Sequence, residues 1–259
     1  MPREYTHEPV TVAGKRAVCV GATSGIGRAI ALGFAAEGAD VVATSRSADR
    51  VAETASDLRE RGADTVEVTC DVTDRSDIVD LRDAVLEAFG GVDVLVYAPS
   101  YIAREPVTEV TDEQWRDVFD VHLTGAFRAT QVFAEEMDAG AILHVASASA
   151  VTAIPNLAAY STAKGGLDSF VRVAAEELGP EIRINAIRPG FVESDQTRGT
   201  YTAGEPRYET IASRTAHGRL GRPGEMVGAA VYLASDAAGY TTGEIVTVDD
   251  GFVAATFEE

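Results

Sequence analysis

Tyr160 and Lys164 stand four residues apart in the stretch Y-S-T-A-K. In a helix that spacing puts the phenol and the ammonium on one face. A free phenol titrates at about 10. A neighbouring cation favours the phenolate and brings it towards working pH, as a proton-transfer catalyst requires. Ser147 precedes Tyr160 at the end of an apolar run, and its hydroxyl can donate to a substrate oxygen. Lys164 is one of only two lysines in 259 residues, the other being Lys15. A chain that otherwise uses arginine keeps a lysine here.

A second group of residues suits anion binding. Residues 20–30 read V-G-A-T-S-G-I-G-R-A-I, with glycines at Gly21, Gly25 and Gly27. An apolar run precedes them and a helical pattern follows. A glycine turn between strand and helix lets backbone N–H groups approach a pyrophosphate, and the helix N-terminus adds partial positive charge. The spacing is G-x-x-x-G-x-G, not the G-x-G-x-x-G of the commonest dinucleotide fingerprint.

The elements that position these groups alternate along the chain. Apolar runs at residues 17–20, 40–45, 65–70, 92–97, 141–147, 182–187 and 244–248 predict seven strands. Helical periodicity predicts helices over 26–37, 48–61, 78–89, 111–137, 157–178 and 224–235, with Asp74 and Thr111 as N-caps. Strands alternating with helices imply right-handed crossovers and an α/β fold: a single-domain, Rossmann-type, doubly wound parallel sheet of about seven strands with helices on both faces. Residues 1–13 read as a flexible arm, 14–259 as the one domain, and 191–222 as an irregular segment over the pocket. Ligands of such sheets lie at the carboxyl ends of the strands. Those ends carry Gly21, Ser45-Arg46, Asp71, Tyr97-Ala98, Ser147 and Pro189-Gly190.

The chain has 41 acidic and 22 basic residues, a net charge of −19. This excludes nucleic acid and anionic membrane as expected partners, since both need basic surface. An acidic, lysine-poor surface is similar to that of proteins from salt-loaded cytoplasm, where high ionic strength screens self-repulsion. Cys19 and Cys70 sit in apolar runs and read as buried free thiols, with no metal-ligand spacing. Without a signal-like or membrane-spanning stretch, the expected location is the cytoplasm.

Gly21/Gly25/Gly27, Asp71-Val72, Ser147, Tyr160, Lys164 and Pro189-Gly190 together resemble, in order and spacing, the short-chain dehydrogenase/reductase family. The match runs from about Gly14 to Gly251. The resemblance implies an NAD(P)-dependent alcohol dehydrogenase or carbonyl reductase, and a homotetramer or homodimer. It implies Tyr160 as acid/base, Ser147 as carbonyl orienter, and Lys164 as ribose binder and tuner of the tyrosine. Asp71 and Val72 would hold the adenine. Thr23, Ser24, Ile26, Ala98 and Val192 complete the implied cofactor set with the glycines, Ser45, Arg46, Pro189 and Gly190. Three places depart from the family pattern. Val20 replaces a threonine, Y-A-P-S at residues 97–100 replaces N-N-A-G, and His122 replaces the catalytic asparagine. A neutral His122 could support the same relay, so an acid limb in the rate would mark its protonation.

Ser45 stands where NAD-dependent members carry an acid, and Arg46 follows. A guanidinium suits a 2′-phosphate, so NADP(H) is favoured over NAD(H). R-T-A-H-G-R-L-G at residues 214–221 resembles stretches of sugar-acid and polyol dehydrogenases and of 3-oxoacyl reductases in the family. Two other readings stay open: a halohydrin-dehalogenase-like lyase, in which arginine takes the place of Lys164, and a dinucleotide-binding sensor without catalysis.

Overall fold

The computed structural model describes residues 6–194 and 201–255. Six parallel strands form one sheet in the order β2-β1-β3-β4-β5-β6. They are β1 (Arg16–Val20), β2 (Asp40–Thr44), β3 (Val94–Tyr97), β4 (Gly140–Val145), β5 (Ile182–Pro189) and β6 (Ile245–Val248). The helices are α1 (Gly25–Ala36), α2 (Ala48–Glu60), α3 (Arg75–Phe89), α4 (Asp112–Phe119), α5 (Gly125–Ala134), α6 (Ala158–Leu178), α7 (Pro206–Ala212) and α8 (Val227–Ala234). Asp74 caps α3 by accepting from Ser76 N–H, and Thr111 forms a reciprocal capping box with Gln114 at α4.

Because side chains alternate across a strand, each strand feeds two cores. Val18, Leu95, Ile142 and Ile184 face α3, α5 and α6, where Leu81, Phe133 and Leu167 meet them. Cys19, Val41, Val96 and Leu143 face α1 and α8, where Ile30, Phe34 and Leu233 meet them. Both sheet faces are therefore dry, which is why the strands read as unbroken apolar runs. Cys19 and Cys70 are free and buried, and burial pushes each thiol up to about 12.

Two expectations change. The strand expected at residues 65–70 does not form a ladder. That segment lies along the free edge of β2, where Thr44 Oγ1 donates to Val68 O at 2.5 Å. Backbone bonds reach it only at its ends, Val41 N–H to Asp64 O and Cys70 N–H to Ser45 O. The sheet thus has six strands among the described residues rather than seven. The long helix expected over 111–137 is interrupted by one π turn, Asp120–Thr124, between α4 and α5. Of the expected arm, residues 1–5 lie outside the described residues, while Val12 is buried in the α1 core. Residues 195–200 of the segment over the pocket and 256–259 of the domain also lie outside them, and α7 lies within the remainder of that segment.

Candidate active site

A cleft of about 1230 Å³ opens at the carboxyl ends of the strands. The strand order reverses at β1/β3, so this is the topological switch point. Gly21 has a left-handed φ of +71°, and a Cβ there would lie 2.4 Å from Pro99 N. A Cβ on Gly27 would lie 2.5 Å from Gly21 O. The turn is therefore closed by backbone contacts that only glycine allows. Gly21 and Ala22 N–H both donate to Thr44 O. Ser24 makes no side-chain cap on α1, which leaves the first-turn N–H groups for an anion. Thr23 Oγ1 donates to Ser45 Oγ at 2.8 Å. Arg46 is exposed beside Ser45, with its nearest carboxylate contact 3.9 Å away at Asp71. Asp71 Oδ1 accepts from Thr73. Ile26, Val72, Ala98, Pro189, Gly190 and Val192 line the same cleft. An uncapped helix start, a Cβ-free approach and an exposed guanidinium with only a long carboxylate contact fit a phosphorylated dinucleotide.

At the other end of the cleft the four residues from which the sequence predicts proton chemistry, Ser147, Tyr160, Lys164 and His122, lie near one another. Ser147 ends the loop after β4, and Tyr160 and Lys164 lie on the first turns of α6. The rings of His122 and Tyr160 meet edge-on at 4.9 Å. Lys164 Nζ lies 5.8 Å from the Tyr160 ring centre and donates to Val145 O at 2.6 Å. Only 4% of Lys164 is exposed. Burial lowers its ammonium to about 7, partly offset by Asp168 one helical turn further on. The sequence led us to expect a phenol pulled down by Lys164. Instead burial holds Tyr160 above its ordinary value, with Ser147 and the positive charge of Arg104 opposing that rise.

His122 sits in the π turn, fully buried. Its Nε2 lies 2.8 Å from Tyr101 O and 3.1 Å from Tyr101 N. One nitrogen can donate to the carbonyl or accept from the amide, not both. Its Nδ1 has no partner among the described residues.

With this geometry in view, the comparisons with known proteins are decisive. The family described as enoyl-(acyl carrier protein) reductase matches residues 21–253. The chain is 37% identical over 246 residues to cis-4-hydroxycyclohexanecarboxylate dehydrogenase of Sinomonas cyclohexanicum, covering 92% of this chain and 96% of the relative. It is 33% identical over 244 residues to 3-oxoacyl-[acyl-carrier-protein] reductase of Thermotoga maritima, covering 93% and 98%. The chain belongs to the short-chain dehydrogenase/reductase family. It is an NAD(P)-dependent dehydrogenase/reductase. A solved structure from Beutenbergia cavernae, provisionally described as an NAD(P)-dependent gluconate 5-dehydrogenase, carries NADP at low occupancy. It superposes with a TM-score of 0.89 at 38% identity, over 95% of this chain and 99% of that one.

The departures from the family pattern are neighbours in space. Tyr97 is buried and donates to Val121 O, inside the π turn, at 2.6 Å. A Cβ on Gly125 would lie 2.3 Å from the Tyr97 hydroxyl. His122 then joins the same turn to Tyr101. Tyr97 and His122 thus clamp the exit of β3 onto the π turn from both sides, and Pro99 in the loop between packs on Gly21.

Sequence reading missed three contributors. Arg104 enters the cleft from the loop after β3. Tyr201 enters it from the segment after β5. Asp168 and Arg188 form a buried pair at 2.5 Å, joining α6 to β5 directly before Pro189. A charge eight residues after Tyr160 and another just before Pro-Gly were the available signals, but nothing in the spacing pairs them.

Burial first, then the charge of Lys164, hold His122 well below the ordinary histidine range. A lowered pKa favours the neutral ring and moves its protonation to more acid pH. The acid limb expected from the sequence therefore moves out of the working range. The pH–rate profiles of wild type and His122→Asn should coincide in shape from about pH 5.5 to 8, below and above the ordinary histidine value. A wild-type limb near pH 6.5 that the Asn variant lacks would show that the ring titrates there.

Proposed function

We propose that this enzyme uses NADP(H) to interconvert a carbonyl and a secondary alcohol on a small oxygenated substrate of the sugar-acid, polyol or 3-oxoacyl kind. The observation that carries this reading is the convergence of Ser147, Tyr160, Lys164 and His122 at one end of a cleft whose other end is the glycine turn. Bound nicotinamide supplies or accepts the hydride at the carbinol carbon. Ser147 orients the substrate oxygen, and Tyr160 gives that oxygen its proton in reduction and takes it back in oxidation. Lys164 keeps one N–H on Val145 O and offers the others to the ribose. His122, held neutral, braces this group against the β3 exit. Gly21, Thr23, Ser24, Gly25, Ile26 and Gly27 cradle the pyrophosphate, Asp71, Val72 and Ala98 flank the adenine half, and Pro189, Gly190 and Val192 flank the nicotinamide half. The names of the relatives, two reductases or dehydrogenases and an NADP-bearing structure, favour this reading over a dehalogenase or a sensor.

Preference for NADP(H) rests on Ser45 and Arg46. No acid ends β2 to accept from ribose hydroxyls, and Arg46 is 73% exposed, with only the long contact to Asp71. The wider reading keeps residues 1–13 as an arm, 14–259 as one domain and 191–222 as the cover of the pocket. It also keeps a cytoplasmic location; no helix among the described residues is long and apolar enough to cross a membrane. Assembly as a homotetramer or homodimer is supported by exposed Trp115, Phe127 and Val173 on α4, α5 and α6. Adaptation to salt is supported by the charge of −19.

Three measurements test this. Tyr160→Phe should cut turnover by about 10²–10⁴-fold, the share of general acid–base catalysis, with NADPH binding near normal; an unchanged rate would place the proton elsewhere. Arg46→Ala should weaken NADPH by about 1.5–3 kcal/mol, as for a hydrogen bond to a charged group, and spare NADH; equal losses would remove the phosphate assignment. Thermal midpoint and sedimentation should both rise from low to molar KCl, as screening shortens to about 3 Å. A flat thermal profile rules out salt adaptation, and a monomer in molar salt rules out the oligomer.

A further inference from the structure

Beyond the proton-transfer group, the cleft holds a cation with no carboxylate partner among the described residues. Arg104 leaves the loop after β3 and lines the cleft with Tyr160 and Tyr201. Its Nη2 donates to the Tyr201 hydroxyl at 3.2 Å, and its guanidinium carbon lies 5.9 Å from the Tyr201 ring centre. Its Nη1 is buried and has no hydrogen-bond partner among the described residues. A second guanidinium, Arg207 at the start of α7, lies 5.3 Å from the same ring. Among the described residues neither arginine is within ion-pair distance of a carboxylate. This occurs in a chain with 41 acidic residues to 22 basic ones. Several arginines elsewhere do pair with acids: Arg16 with Asp93, Arg28 with Asp57, Arg59 with Glu67 and Arg219 with Glu225.

A buried donor left without an acceptor is costly unless a ligand supplies one. The guanidinium fork matches a carboxylate in two parallel bonds. Tyr201 fixes the fork from one side through its hydroxyl, which pre-orients the free edge. Arg104 lines the same cleft as the Tyr160 phenol, and its charge opposes the rise of that phenol. This is the end of the cleft away from Arg46, where the cofactor's 2′-phosphate is placed.

We infer that Arg104, oriented by Tyr201 and backed by Arg207, is a carboxylate anchor, and that the substrate is a compact hydroxy or oxo carboxylic acid. This rests on the oxidoreductase reading of the same site and names its substrate class. A thioester or an uncharged polyol would leave the fork unpaired.

Matched acid and amide pairs test it: 4-oxocyclohexanecarboxylate with its carboxamide, and 5-oxohexanoate with its amide. Calorimetry on the NADP⁺-loaded protein reads binding without turnover, and NADPH oxidation at 340 nm reads the reaction. Wild type should bind and reduce the acids in preference to the amides. In the calorimetry, Arg104→Met should lose that preference by about ten- to a hundredfold, the range for a charge-assisted hydrogen bond, while binding of the amides changes little. Arg104→Lys should restore part of it, since it keeps the charge and loses the fork. NADPH affinity should be unchanged in both variants, which also shows that they fold. Equal binding of acid and amide by wild type overturns the anchor. So does an Arg104→Met loss that falls equally on both members of a pair, or on NADPH itself. Failure of wild type to oxidise NADPH with any ketone, while acids still bind through Arg104, would instead sink the oxidoreductase reading and leave the anchor standing.

Discussion

The closest backbone approach in the site is the one on which its architecture depends. β1 can turn directly against the exit of β3 only because positions 21 and 27 carry no Cβ. A side chain at Gly21 would have to occupy the same space as Pro99, and one at Gly27 would press on Gly21 O. That contact brings α1 in with its first turn facing the cleft and opens the crevice where the strand order reverses. It also explains why Pro99 is tolerated in a loop that meets the cofactor cleft. The proline backbone packs on a glycine, and the neighbouring Ala98 N–H still donates to Val20 O.

On the substrate side the governing term is desolvation. Lys164 is carried into the protein with its ammonium on the Val145 carbonyl. Burial brings it to about 7, and its charge in turn helps keep two buried histidines, His122 and His144, neutral. Neutral imidazoles have one donor and one acceptor each, so they can brace the helix without adding charge. The clamp of Tyr97 on Val121 and His122 on Tyr101 uses this. A π turn in the middle of a helix displaces a carbonyl from its usual partner, and the Tyr97 hydroxyl meets Val121 O there.

Charge is distributed with the same economy. The surface pairs several of its arginines with carboxylates, while the cleft keeps Arg46, whose ion contact to Asp71 is long at 3.9 Å, and Arg104, with none among the described residues, near opposite ends. Asp168 and Arg188 are the buried exception. Their ion pair links the helix of Tyr160 and Lys164 to the strand that ends in Pro189, so these two walls of the cleft share one support. Breaking such a pair leaves an uncompensated buried charge.

By itself the sequence determined the alternation of strands and helices, the glycine turn, and the residue types of the proton-transfer group. These are local signals: apolar periodicity, caps such as Thr111 and Asp74, and the four-residue spacing of Tyr160 and Lys164. It also marked Val20, the stretch from Tyr97 to Ser100 and His122 as departures, but as three separate ones. Only the tertiary structure decided that they are neighbours, because the contacts between residue 97 and residues 121–125 span a helix and a strand crossing. It decided that residues 65–70 lie beside β2 without a ladder, since edge pairing depends on register and not on apolar pattern. It decided that burial, more than Lys164, sets the Tyr160 phenol, because desolvation is a property of surroundings that no spacing encodes. Arg104 became visible in the same way: in the sequence it is one arginine among many, and it is distinguished only by the fold, which brings it to Tyr201 and leaves its other terminal nitrogen buried without an acceptor among the described residues.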